Sequence, residues 1–159
     1  MMVIGWLVLL GLLTLIFGSW EEDQYNPNQH VDSTIGASTI EVILEQNAFN
    51  HYVSDGKING TNVVFMLDTG ATSVAIPVDL AQKLNLKKGR PYQVSTANGY
   101  SRVFATRIDS LQLGAITLHD VKAAIATGMT GNEILLGMSA LKELDIHQRG
   151  KQLTLTQHK

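Results

Sequence analysis

No cysteine occurs in the 159 residues. This excludes a thiolate nucleophile, a disulfide framework and a lipid-modified N-terminal cysteine, and it leaves the redox compartment undetermined. The 12 Lys and Arg residues are outnumbered by 14 Asp and Glu, for a net charge of -2, so no basic field draws in nucleic acid and none is expected as a partner. The five histidines, His30, His51, His119, His147 and His158, are scattered without metal-ligand spacing; no metal or other cofactor is implied. Ser73 and Ser139 lack the Gly-x-Ser-x-Gly elbow of a serine hydrolase. Asp109, Asp120 and Asp145 stand beside turn or strand-end residues and read as solvated.

Charge is also missing from Met1 through Trp20. The run Val3 to Phe17 is apolar almost throughout, and roughly 17 to 25 such residues are needed for a helix to cross a bilayer. The reading taken is an uncleaved transmembrane anchor over residues 1–20. A cleaved signal peptide and a buried core helix are the alternatives. Against cleavage, no Lys or Arg precedes the run, and bulky Ile16 and Phe17 lie just ahead of Gly18 and Ser19. Residues 21–38 are polar, broken by Pro27 and Gly36, and without apolar periodicity, so a flexible tether is expected there. The anchor would hold the rest of the chain at a membrane, on its non-cytoplasmic (periplasmic) side.

From residue 39 to 159 the texture is one domain of short β-like runs: Thr39 to Leu44, His51 to Val53, Asn62 to Leu67, Tyr92 to Thr96, Arg102 to Ile108, Ile116 to Leu118, Val121 to Ala126 and Glu133 to Leu136. Asp55-Gly56, Asn59-Gly60 and Asn98-Gly99 supply the positive φ angles that tight hairpins need. Helices are expected only at Pro77 to Leu84 and Met138 to Leu144. The fold class is therefore all-β with one or two short helices.

One segment carries chemistry. In Val63-Val64-Phe65-Met66-Leu67-Asp68-Thr69-Gly70-Ala71-Thr72-Ser73 an apolar strand runs directly into an acid, a hydroxyl residue and a glycine. The tripeptide alone is an ordinary turn former; its apolar context is what distinguishes it. The run apolar-apolar-Asp-Thr-Gly-Ala resembles the active-site loop of the retroviral-type aspartic proteases, the retropepsins. Ile134-Leu135-Leu136-Gly137-Met138-Ser139-Ala140-Leu141 resembles the apolar-apolar-Gly stretch and short helix that close that fold. Between them, Val94 to Tyr100 falls where the family has its flap hairpin. The order of Gly56 to Gly60, the Asp-Thr-Gly-Ala-Thr box, Ala97-Asn98-Gly99 and Leu-Leu-Gly-Met-Ser is similar to bacterial single-span members of the clan, over about Phe49 to the C-terminus. The chain departs from those members at Phe49-Asn50-His51-Tyr52 and at Ala140, which touch packing rather than the acid.

The resemblance implies a retropepsin-like acid protease barrel, one lobe per chain, acting as an aspartic endopeptidase on polypeptides. Carboxylate catalysis of peptide hydrolysis needs one group to take a proton from water and another to give one. Two carboxyls about 3 Å apart can share the single proton this requires. The chain has one Asp-Thr-Gly, so the second acid is expected from Asp68 of a second copy in a homodimer. Thr69, Gly70, Ala71 and Thr72 would support the loop, Ala97, Asn98, Gly99 and Tyr100 would form the lid over substrate, and Leu136 and Gly137 the closing motif. A plain surface hairpin is the alternative for the lid. For the whole domain the alternative is a catalytically silent module that binds peptides or other partners at the membrane.

Overall fold

A computed structural model describes residues 2–96 and 99–159, without the side chains of several residues in the first helix. The elements run α1 (Met2–Tyr25), β1 (Asp32–Ile35), β2 (Thr39–Glu45), β3 (Val53–Ile58), β4 (Thr61–Leu67), β5 (Val74–Pro77), α2 (Val78–Lys83), β6 (Pro91–Thr96), β7 (Gly99–Leu113), β8 (Ile116–Ala126), β9 (Glu133–Leu136), α3 (Met138–Leu141), β10 (Asp145–Arg149) and β11 (Gln152–His158). The expected all-β domain with short helices is present. Seven strands form one sheet in the order β3-β4-β9-β5-β8-β7-β6, and a further β3–β7 pairing, Lys57 to Gln112 and Ile58 to Leu111, closes six of them on themselves. Closure leaves β6 as the outermost strand, paired among the described residues only to β7. The second sheet has the order β1-β2-β11-β10.

Alternation explains how these strands share one interior. In β4, Val63 and Phe65 are buried while Val64 and Met66 between and after them are only partly so, the two-residue period of a strand. Phe65, Ile58, Ile76, Ile108, Ile125, Ile134, Leu136 and Leu141 are fully buried in one cluster, which also takes Val42, Leu44 and Leu155 from the smaller sheet. Each such side chain contributes roughly 1.5 to 3 kcal/mol by leaving water. Val103, Ala124 and Ala126 form a separate small cluster with Val94 and Met129 where the β6–β7 hairpin leaves the barrel.

Several expectations are corrected by the structure. Asp55-Gly56 makes no hairpin; it lies inside β3. A Cβ on Gly56 would sit 2.5 Å from the Gln112 carbonyl oxygen and 2.5 Å from the Phe65 ring, so this glycine permits the close approach that closes the barrel. Asn59-Gly60 does turn a hairpin, with φ angles of 49 and 81 degrees. The expected strands Ile116 to Leu118 and Val121 to Ala126 are one strand, β8, kinked at Asp120 with φ 54 degrees. Strands β1, β5, β10 and β11 were not foreseen, because Asp32–Ile35, Asp145–Arg149 and Gln152–His158 are largely polar and Val74–Pro77 is short.

The stretch 21–38, expected as a flexible tether, is built into the fold. Helix α1 continues to Tyr25, β1 pairs with β2, and a web of asparagines fills the gap. Asn28, 4% exposed, donates from Nδ2 to the carbonyls of Glu45 (2.9 Å) and Val53 (2.7 Å) and accepts the Glu45 N–H on Oδ1 (2.7 Å). Its own carbonyl accepts the Asp55 N–H at 3.2 Å, while Asn26 reaches Asp55 and Asn47 reaches the Tyr25 carbonyl. Helix α1 presents Trp6, Leu7, Leu10, Leu12 and Leu15 exposed. The transmembrane anchor expected over residues 1–20 is not supported: among the described residues no helix is long and apolar enough to cross a membrane.

Candidate active site

Strand β4 runs parallel to β9 with Leu67 opposite Leu136, and the chain leaves the barrel at the next residue. There the Asp68 N–H still donates to the Leu136 carbonyl at 3.2 Å, so the ladder extends one bond past the strand. The chain then turns: the Ala71 N–H donates to the Asp68 carbonyl at 3.2 Å, and the Gly70 N–H to Asp68 Oδ1 at 2.9 Å. An amide aimed at a carboxylate fixes its rotamer. Asp68 is half-buried, whereas Thr69, Gly70 and Thr72 are exposed. The acid therefore stands at a solvent-facing point on a backbone held from beneath.

The expected closing motif forms that floor. Leu136 is buried and supplies the acceptor just described; Gly137 is buried where the loop passes. A Cβ on Gly137 would lie 2.4 Å from the Ser73 carbonyl oxygen and 2.7 Å from that of Ala71, both backbone atoms. The Met138 N–H donates to the Ala71 carbonyl at 2.8 Å. Ser139, which lacks a hydrolase elbow, is a strut: Oγ accepts the Val74 N–H at 2.9 Å and donates to the Lys122 carbonyl at 2.6 Å. It joins the end of the loop, α3 and β8 through one hydroxyl. The signal in the sequence was a serine at the second position of a helix packed against two strands, but the pattern does not say which backbone groups it meets.

Of the expected lid, Ala97 and Asn98 lie outside the described residues. Gly99, with φ 101 degrees, begins β7, and its carbonyl accepts the Thr96 hydroxyl at 2.7 Å. Tyr100 is 82% exposed. The hairpin does wall a cleft, but through Tyr92, Gln93, Val94 and Ser95 of β6. That cleft, about 1070 Å³, meets the Asp68 loop at Thr72 and Ser73 rather than at Asp68 itself.

Its remaining lining includes Lys87, Lys88, Arg107, Lys122 and Lys142, and no carboxylate. Composition hid these residues because the net charge averages over the chain. The signal was local: between Asp79 and Asp109 the sequence carries Lys83, Lys87, Lys88, Arg90, Arg102 and Arg107 and not one acid. Arg107 is ion-paired to Asp120, whose carboxyl is held below its usual range chiefly by that hydrogen bond. Asp120 is thus exposed and paired, and Asp145, also read as solvated, meets His158 Nε2 at 2.7 Å. Among the described residues no group of His, Asp or Glu is arranged to hold a metal ion.

The comparisons with known proteins agree with this geometry. Residues 54–143, more than half the chain, match the family model described as gag-polyprotein putative aspartyl protease. The crystal structure of a retropepsin-like aspartic protease from Rickettsia conorii is similar in fold, with TM-score 0.62 at 24% identity, covering 80% of this chain and 96% of that one. Two curated relatives, an uncharacterized protein in the cobV 5' region of Sinorhizobium sp. and an uncharacterized protein of Rickettsia prowazekii (strain Madrid E), are 28% and 29% identical over 68% and 72% of this chain. Those alignments take in 48% and 50% of the relatives, so the chain spans about half the length of the curated relatives it matches. The fold is mostly β and retropepsin-like.

Proposed function

We propose, from the premise that this chain belongs to the gag-polyprotein putative aspartyl protease family, that it is an aspartic endopeptidase whose acid is Asp68. The observation that carries this reading is the loop itself: one carboxylate, gripped by the Gly70 amide, on a backbone bonded to Leu136, at an exposed point of the barrel. A single acid cannot both take and give the protons of peptide hydrolysis. Two copies related by a two-fold axis would bring two Asp68 residues together, with one proton shared between them. A water between the pair attacks the peptide carbonyl, one carboxylate accepting its proton while the other protonates the substrate, and no covalent enzyme intermediate forms. Substrates are extended polypeptides.

The finer assignment is a bacterial, membrane-anchored member of the clan. The uncharged run through Trp20 and the exposed leucines of α1 support attachment through residues 1–20, with the domain on the non-cytoplasmic side. Reporter fusions at either end of the chain test that orientation; a cytoplasmic readout for the C-terminus overturns it.

The catalytic reading is tested with Asp68→Asn in the full chain. Peptide cleavage should fall about a thousandfold or more, with the fold unchanged by circular dichroism. Mixing equal amounts of wild-type and Asp68→Asn protomers should lower activity per wild-type protomer about twofold, because half of the wild-type chains then sit in mixed pairs. Cleavage that survives the substitution would refute the assignment.

A further inference from the structure

The cleft beside Thr72 and Ser73 is cationic from several independent directions. Lys87 and Lys88 come from the connection between α2 and β6, Arg107 from β7, Lys122 from β8, and Lys142 from the turn after α3. Elements distant in sequence thus converge on one cavity with one sign of charge, in a chain whose net charge is -2. Two of these cations are committed, Arg107 to Asp120 and Lys142, at 3.7 Å, to Glu143. Lys87, Lys88 and Lys122 form no ion pair among the described residues and all three are exposed, though Lys88 lies over the Phe104 ring at 5.5 Å and Lys122 feels the Asp120 carboxylate. Cations gathered with so little neutralisation repel one another, so an anionic occupant would relieve them.

The wall of the cleft says which kind of anion. Among the described residues β6 is the terminal strand of its sheet, bonded to β7 alone, and Tyr92 to Ser95 border the cavity beside Ala105 to Arg107 of β7 and Lys122 and Ala123 of β8. A free strand edge pairs with an extended polypeptide by main-chain hydrogen bonds. Neither a bilayer surface nor a nucleic-acid duplex supplies such a strand.

We infer that this protein selects polypeptides carrying Asp or Glu a few residues away from the bond to be cut, with Lys87, Lys88 and Lys122 receiving those side chains in the cleft beside Thr72 and Ser73. The selectivity rests on the protease reading given above, but the binding cleft can be tested without it. The displacement of the acids from the scissile bond follows from the cleft meeting the loop at Thr72 and Ser73, not at Asp68. Exposed charge pairs of this kind are individually weak, so two or three together should favour an acidic peptide by about five- to tenfold at low salt and less as screening rises.

The test uses the full chain in lipid nanodiscs and two readouts. In the first, an unsorted peptide library is cleaved by wild type and by the double variant Lys87→Glu, Lys88→Glu. Wild-type cuts should be enriched in Asp and Glu at flanking positions, and the double variant should invert the preference towards Lys and Arg. In the second, an Asp68→Asn background binds a fluorescent peptide of alternating Val and Glu, its Val and Gln counterpart, a single-stranded RNA of equal length, and vesicles of phosphatidylglycerol with phosphatidylcholine. The Glu peptide should bind about fivefold more tightly than the Gln peptide at 25 mM salt, and Lys87→Glu, Lys88→Glu should abolish the difference. Asp68-dependent cutting with no acidic enrichment overturns the inference and leaves the protease standing. Acidic-peptide binding that depends on Lys87 and Lys88 without any Asp68-dependent cutting does the reverse, upholding the cleft and removing the protease. Absence of both sinks both, and tighter binding of RNA or vesicles through the same lysines assigns the face to another partner and overturns the inference.

Discussion

Two places in this molecule pin a non-repetitive segment by hydrogen bonds from side chains and crossing backbone, and they do it for opposite ends. Around Asn28 the pinned segment is itself buried: Asn26, Asn28, Asn47 and Ser54 are each at most 7% exposed, and their polar atoms are spent on one another and on strand ends. Around Asp68 the pinned segment is half-buried to exposed, with Thr69, Gly70 and Thr72 open to solvent. The first arrangement only stabilises, since a buried amide must be bonded or it costs about 1–3 kcal/mol. The second holds an acid still while leaving it free to react. Rigidity beneath and access above is what separates a reactive loop from a structural one.

The sharpest way to break that contrast is Gly137→Ala. The added Cβ meets the backbone oxygens of Ser73 and Ala71 at 2.4 and 2.7 Å, which cannot swing aside as a side chain would. We expect a loss of about 3 kcal/mol in urea unfolding, with cleavage by the folded fraction reduced at least tenfold as the loop shifts. Asn28→Ala comes next. It removes three bonds and leaves the Glu45 amide and the Glu45 and Val53 carbonyls short of a partner, for a loss of about 2–3 kcal/mol. Its folded fraction should cleave peptides at the wild-type kcat/KM. If Asn28→Ala impairs cleavage as strongly as Gly137→Ala, the two regions are not separable and the contrast fails.

A smaller effect falls on Ser139→Ala, which cuts one strut at the edge of the loop. Val74 N–H and the Lys122 carbonyl both lose their partner, and about 1–2 kcal/mol of stability should go with them. Here the split between kinetic constants is informative. A strut that positions the loop should lower kcat with KM little changed, and Ser139→Thr, which keeps the hydroxyl, should recover most of the loss. Equal recovery by Ser139→Val would reduce Ser139 to a packing residue.

The same contrast explains what the sequence made legible. The Asp68 loop was readable because its chemistry is local: an apolar strand, then Asp-Thr-Gly, within ten residues. The barrel strands β4 and β9 were readable for a similar reason, their apolar residues being concentrated in runs, whereas β7, Gly99–Leu113, was read only over Arg102 to Ile108 because polar residues break up its flanks. The asparagine web was not, because Asn26-Pro27-Asn28 has the composition of a loop, and its bonds go to Glu45, Val53 and Asp55, residues 17 to 29 positions away. Polarity marks solvent exposure only on average; here it marks a buried network. β1 and β10 hid in the same way, since edge strands with every residue exposed carry no burial pattern to read. The cationic cleft stayed hidden because Lys122 and Lys142 join the run from residue 83 only after β8 and α3 have folded against it.

Glu133 links the two regions through β9, and it yields the smallest and most discriminating prediction. It opens β9, the strand whose other end, Leu136, holds the Asp68 amide, and its carboxylate accepts the Tyr25 hydroxyl from the last turn of α1. Burial raises its carboxyl above the ordinary 4.5. Because the folded state then holds its proton more tightly than the unfolded one, stability falls as pH rises from about 4.5 through the raised value, and the cost persists at neutral pH. Below that window both states are protonated and the site costs nothing. Glu133→Gln keeps an oxygen for Tyr25 and cannot ionise, so it should match wild type at pH 4 and melt about 2 °C higher at pH 7. A wild-type-like melting curve at both pH values would mean that the carboxylate is solvated after all. If the variant also alters the pH dependence of peptide cleavage, strand β9 transmits the state of the buried strap to the exposed acid, and the two regions are coupled rather than merely adjacent.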